Sequence, residues 1–262
     1  MNGQDGHSSG TRPSLPPGIL HTGVVAIARR LAAADVAGVA DALFAGGIRA
    51  FELTLNAPED DALRAIEAAV RHIARRAAGP AAPSPAQPAG GPASRLSSED
   101  QTETPLAIGA GTVLTRDSAR RAIDAGASFL VMPHTDPDLV AWLAGERIPA
   151  LPGAATPTEV LAGWRAGAAA IKVFPASSLG ASFVRELGGP FPDIPVVPSG
   201  GMTLADVPAF IEAGAAAVGI GSWLTGDLEP VGISGRACEL VAVVAAARAK
   251  ASGDGATVSA AR

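Results

Sequence analysis

Short apolar runs recur along this chain, and segments of helical period fill the intervals between them. Four begin alike: "AGGIRAFEL" (45–53), "AGASFLVM" (125–132), "AGAAAIKVF" (166–174) and "AGAAAVGIG" (213–221). In each, an Ala-Gly pair closes a helix and the chain passes at once into a short apolar strand. Glycine after the last turn is the expected helix C-cap. The pattern predicts strands over 23–29, 50–56, 106–112, 129–133, 149–153, 170–175, 195–199 and 216–221. Helical period fills the intervals, among them 59–77, 115–125, 136–145, 157–166, 203–213 and 230–250. Such alternation specifies βα units around a parallel sheet. Eight strands in about 230 residues predict an α/β protein of the (β/α)8 TIM-barrel class, one domain over residues 19–250. An open doubly wound sheet is the rival. It calls for a Gly-rich phosphate loop after the first strand, and none follows there.

Three segments stand outside this rhythm. Residues 1–18, 79–104 and 251–262 are rich in small residues and proline and are expected to be disordered, because they bury too little apolar area to offset their ordering entropy. The rest carries enough apolar residues for one large core: 48% of the 262 residues are hydrophobic and 17% charged. The net charge of −5 comes with no basic block, so neither nucleic acid nor an anionic membrane is an expected partner. The one cysteine, Cys238, excludes an internal disulfide and a cysteine-based metal cluster. The N-terminus has no apolar signal core, and no apolar run is expected to approach the ~20 residues of a membrane span. A cytoplasmic protein is the expectation.

The chemistry begins with "AIKVFP", residues 170–175. Of 20 basic residues, 18 are arginine; Lys172 and Lys250 are the two lysines. An ion pair accepts either residue type, whereas an amine that must lose its proton cannot be arginine. Side chains alternate along a strand. If Ile171 and Val173 face helices, Lys172 faces the barrel interior. If Phe51, Leu53 and Leu55 face outward, Glu52, Thr54 and Asn56 face in. Arg29 and Thr112 end the first and third predicted strands. The residues alone leave two readings of Lys172 and Glu52 open: a structural ion pair, or an amine nucleophile with its acid/base. "PSGGM" (198–202) and "GIGSW" (219–223) follow the last two strands. Small residues there let backbone N–H groups approach an anion, at the usual phosphate position of this fold.

The stretches "GGIRAFELTLN", "IGAGTVL", "LPGAATPTE", "IKVFPASSLG", "GPFPDIPVVPSGGM" and "GIGSWL" give the chain its resemblance to the bacterial 2-keto-3-deoxy-6-phosphogluconate and 4-hydroxy-2-oxoglutarate aldolases. It covers residues 20–250 apart from the 79–104 insert. The resemblance implies a homotrimer of (β/α)8 barrels and a class I aldolase without metal or cofactor. It implies Lys172 as the Schiff-base lysine and Glu52 as the acid/base. Arg29 and Thr112 line the pyruvate carboxylate end, and Pro133 and Phe174 pack around the substrate. Gly200, Gly201, Gly221 and Ser222 hold the phosphate.

Departures from the family bear on the substrate. The chain reads Leu55-Asn56-Ala57 where the gluconate enzymes read Leu-Arg-Thr, which is closer to the 6-phosphogalactonate aldolases. Ser199 keeps a hydroxyl, as the gluconate enzymes do with threonine. Asn56 and Ser199 are thus substrate-binding candidates that pull in opposite directions. His134 replaces a small residue and reads as a rim position, and the insert is not a family feature. The expected reaction is cleavage of 2-keto-3-deoxy-6-phosphogluconate to pyruvate and glyceraldehyde 3-phosphate, with 4-hydroxy-2-oxoglutarate as a further substrate. The galactonate epimer is the alternative. Outside this chemistry stand a phosphosugar epimerase with an electrostatic Lys172, and a non-catalytic phosphosugar-binding barrel.

Overall fold

A computed structural model describes residues 12–56, 58–78, 104–226 and 229–259. Among them nine parallel strands fall on the eight predicted runs. They are β1 (Val24–Ala28), β2 (Ala50–Thr54), β3 (Ala107–Gly111), β4 (Phe129–Val131), β5 (Ala150–Leu151), β6 (Gly153–Ala154), β7 (Ile171–Val173), β8 (Val196–Pro198) and β9 (Val218–Ile220). Together they make a curled parallel sheet in two hydrogen-bonded sections, one ordered β5-β4-β3-β2-β1-β9 and one ordered β6-β7-β8.

The eight-stranded barrel expected from the sequence is therefore seen in part. The fifth predicted run divides at Pro152. A proline has no N–H to give a ladder, so β5 pairs with β4, and β6 pairs with β7. At the other junction, β8 meets β9 through a single bridge, Ser199 to Gly219.

Alternation along the strands separates two apolar layers. Phe51, Leu53, Ile171 and Val173 belong to the layer under the helices. Val25, Ile27, Phe129, Val131, Leu151 and Val197 form the second layer, on the other face of the sheet. Each fully buried side chain of this size is worth ~1.5–3 kcal/mol relative to exposure. Helices follow the strands closely because side-chain caps start them. Thr115 Oγ1 accepts from Ser118 N at 3.1 Å, Asp136 Oδ1 from Asp138 N at 3.0 Å, and Thr156 Oγ1 from Glu159 N at 3.3 Å.

Residues 12–18 depart from the disorder expected of them. Arg12 Nη1 donates to the carbonyls of Trp164 (2.8 Å) and Ala168 (2.6 Å), and its guanidinium stacks over the Trp164 ring. Leu15, with Ile19 of the helix Pro17–Thr22, joins the second apolar layer. The apolar positions in "LPPGIL" do this, which composition alone does not reveal. The C-terminal helix likewise runs on to Ser259, beyond the expected end at 250. Its stretch Pro230–Ser252 is long and apolar enough to cross a membrane, contrary to the expectation from run length. In this fold its apolar stripe (Ile233, Ala237, Leu240, Val244 and Ala247) is buried where it packs on the helices Val36–Ala45 and Val207–Glu212. Of the 79–104 segment, 79–103 lie outside the described residues.

Candidate active site

The face of the sheet that carries the second apolar layer encloses a cavity of about 10 Å3. It is lined by Glu52 from β2, Lys172 from β7, Ser199 just after β8, and otherwise by Val25, Ile27, Val131, Leu151, Val197 and Gly219. Glu52 is 2% exposed, Ser199 3% and Lys172 9%. A space of this size holds about one water. A substrate must therefore react above it, at the C-terminal ends of the strands, with only the tips of these side chains reaching up.

Glu52 lies where it does because β3 has no side chain opposite it. A Cβ on Gly111 would overlap the Glu52 carboxylate, and one on Gly109 would overlap the Phe129 ring. Burial raises the Glu52 carboxyl above its ordinary range; the charges of Lys172 and then Arg29 pull it back in part, and burial wins. The carboxyl is thus held toward its protonated form. Among the described residues no salt bridge joins it to Lys172, although the Lys172 charge acts on it through space. Lys172 Nζ stands 5.1 Å from the centroid of the Phe174 ring.

The rim above this cavity is built from the strand ends. Phe174 connects the lysine strand to the Gly200–Gly201 turn. Its ring would be 2.8 Å from a Cβ on Gly200, and Ala176 N and Ser177 N donate to the carbonyls of Ser199 (2.8 Å) and Gly200 (3.0 Å). Gly200 and Gly201 have φ of 97° and 72°, in the left-handed region that favours glycine. Bridging of Ser199 to Gly219 sets this turn beside Gly221 and Ser222. Arg29 is exposed, and its Nη1 is 3.9 Å from where a Cβ on Gly221 would lie. The Thr225 hydroxyl ties the Gly221–Ser222 turn to β1 by donating to the Ile27 carbonyl at 2.7 Å.

Thr112 follows β3 with φ 60°, a conformation that costs a β-branched residue ~1–3 kcal/mol. Pro133 is packed tightly enough on Gly153 that a Cβ there would overlap its backbone. His134 is exposed, and its carbonyl accepts from Gly153 N at 3.2 Å.

The structure thus brings Glu52, Lys172 and Ser199 to one cavity and leaves Asn56 elsewhere. Its Oδ1 accepts from the Thr54 hydroxyl, and it lines a separate cleft behind β1 and β2. The inward direction expected of Asn56 already fails at Thr54, the last residue of β2, which lines the same cleft with its hydroxyl 3.3 Å from the Ala28 carbonyl of β1 and bonded to Asn56. Two residues escaped the sequence reading. Gly111 makes room for Glu52, and the alternating glycines of "IGAGT" were its signal. The Ser177 side chain fills the space beside Gly201; nothing in the pattern marks it.

The KDPG and KHG aldolase family model matches residues 88–229. A probable 2-dehydro-3-deoxy-6-phosphogalactonate aldolase of Rhizobium meliloti is 33% identical over 214 residues, 81% of this chain and 85% of its own. A 2-dehydro-3-deoxy-phosphogluconate aldolase of Pseudomonas aeruginosa is 34% identical over 179 residues, 68% of this chain and 67% of its own. Among solved structures, a native KDPGal structure superposes with a TM-score of 0.70 at 25% identity, covering 86% of this chain and 95% of that one.

Proposed function

This chain belongs to the KDPG and KHG aldolase family, and from that premise we propose that it cleaves 2-keto-3-deoxy-6-phosphogluconate through a Schiff base on Lys172. Aldolase chemistry, and so lyase activity, comes with the family. One observation carries the assignment to particular side chains: Lys172 and Glu52 share a buried cavity without forming a salt bridge.

In its unprotonated form, the one that can act as a nucleophile, the Lys172 amine adds to the C2 carbonyl of the keto acid. Glu52, held toward its protonated form by burial, gives its proton to the leaving hydroxyl. Water departs, and the iminium cation appears beside the new carboxylate, where their charges compensate in a low-dielectric space. The iminium then draws the electron pair of the C3–C4 bond into an enamine while Glu52 takes the C4 hydroxyl proton. Glyceraldehyde 3-phosphate leaves. Glu52 returns the proton to C3, and hydrolysis of the imine frees pyruvate and Lys172. Covalent catalysis replaces one carbanion step by several easier ones.

Ser199, on the same cavity, supports the gluconate epimer, because its hydroxyl is the polar group available to a C4 oxygen above Lys172. Arg29, beside Gly221, supplies positive charge at the rim where the chain lacks the family's arginine at position 56. The Gly200–Gly201 and Gly221–Ser222 turns are assigned the phosphate. We also read the two sheet sections as one closed (β/α)8 barrel. Supporting this, Lys172 N donates to the Pro152 carbonyl and Ala169 N to the Ala150 carbonyl, each at 2.9 Å, so both halves of the divided strand engage the segment leading into β7. A homotrimer is part of the same proposal.

Incubation with pyruvate and borohydride tests the mechanism. The expected result is one reduced adduct on Lys172, absent in Lys172→Arg. An adduct on Lys250, or none, overturns it.

A further inference from the structure

The wall formed by β1 and β2 has a second concavity on its other side, a cleft of about 340 Å3 against the first turns of the helix Glu59–Ala77. β1 gives Val25 and Ile27 to the interior cavity and Ala28 to the cleft; β2 gives Glu52 to the cavity and both Leu53 and Thr54 to the cleft. No residue lines both spaces.

The arginine pair that ends β1 is divided between them. Arg29 acts on Glu52 and stands beside Gly221. Arg30 lines the cleft, with its backbone at φ 56°. Among the described residues Arg30 makes no hydrogen bond or ion pair, whereas the cleft's other arginine, Arg64, is paired with Asp61. The cleft therefore carries one uncompensated positive charge. Near it is Asn56, whose Oδ1 is taken by the Thr54 hydroxyl while its amide nitrogen has no partner among the described residues. The remaining wall is apolar and includes Leu31, Leu53 and Ala62.

We propose that this cleft is a second ligand site, that it takes a small monocarboxylate with a short aliphatic body, and that its occupancy acts on the aldolase site through Arg29. A guanidinium and an amide N–H are the donors a carboxylate needs. One net positive charge matches a monoanion and leaves a phosphate dianion half-compensated. The volume lies at the lower end of small-molecule sites, ~300 Å3 and above. Arg29 and Arg30 are consecutive, so a ligand that holds Arg30 in one arrangement biases the segment that presents Arg29 to Glu52. The coupling is thermodynamic and reciprocal: a ligand of this site shifts the aldolase site only as far as the two arrangements bind it differently.

Butyrate is the probe, since it has no carbonyl to form an imine, and titration calorimetry on the full chain is the first measurement. Saturable binding is expected in wild type and in Lys172→Met, weakened at least ~10-fold in Arg30→Gly. Glycine takes φ 56° without strain, so this variant keeps its fold. The second measurement is the rate of pyruvate trapping by borohydride. Butyrate should change it non-competitively in wild type and leave it unchanged in Arg30→Gly. The coupling rests on the Schiff-base reading; the binding does not, so a protein that fails to trap pyruvate yet binds butyrate through Arg30 separates the two. Absence of saturable binding, equal binding by Arg30→Gly, or competition with pyruvate overturns the site. Binding without any change in the trapping rate overturns the coupling.

Discussion

Glu52 occupies a cavity wall opposite Gly111 with no atom to spare, so single-atom changes there have separable outcomes. Glu52→Gln removes the acid/base and keeps the volume. Turnover is expected to fall by ~10²-fold or more, while the adduct with pyruvate still forms slowly; near-normal turnover would remove Glu52 from the mechanism. The same substitution tests its protonation. Burial raises the Glu52 carboxyl in the folded protein above its unfolded value. The stability it contributes is therefore complete below the unfolded pKa and is lost as pH rises through the folded one. Over that window the Tm of wild type should fall more steeply than that of Glu52→Gln, which cannot ionise. Parallel Tm profiles would show that no buried proton is held there. Ser199 carries the substrate choice. One hydrogen bond made by the right epimer alone is worth ~1 kcal/mol, or about tenfold in kcat/KM. Measured with both epimers, wild type should prefer the gluconate form and Ser199→Val should lose that preference. A galactonate preference in wild type, or no change in the variant, refutes the assignment.

At the scale of elements, the segment from Arg12 to Thr22 is a structural part of the sheet's apolar face rather than a tail. Leu15 and Ile19 are buried among Val25, Phe129, Ala170 and Ala217. Leu15→Ala should destabilise the protein by ~2–4 kcal/mol through the lost burial and the cavity left behind. Trapping at Lys172 should persist, since the residues that follow the strands form the reactive end. Denaturant midpoints with an unchanged m-value would measure this, and a change below ~1 kcal/mol would show that the segment is dispensable. The strands themselves were legible because buried β runs in this chain are short, apolar and introduced by Ala-Gly. The division of the fifth run at Pro152 is written in one residue, which the hydrophobicity of the run does not show. The helix Ala176–Gly188 hides a break at Gly180, with φ 76° and ψ 168°, which period alone does not reveal.

For the whole molecule, residues 79–103 join the C-terminal end of the helix Glu59–Ala77 to the segment that enters β3 at its N-terminal end. Both attachments lie at the opposite end of the strands from the Lys172 rim. Replacing 79–103 with a short Gly-Ser turn should leave kcat/KM within about twofold of wild type, since loop length enters stability only logarithmically. A large loss would assign the segment to the site or to assembly. The sequence by itself determined the alternation of strands and helices, the facing of Glu52 and Lys172 along their strands, and the family, because all three depend on local period and on the order of motifs. Only the tertiary structure decided that Lys172 and Glu52 share a cavity without a salt bridge, that Gly111 makes the space for a carboxylate, and that Asn56 stands with Arg30 behind the wall. Those depend on distances between residues far apart in the chain, and periodicity carries no information about such distances.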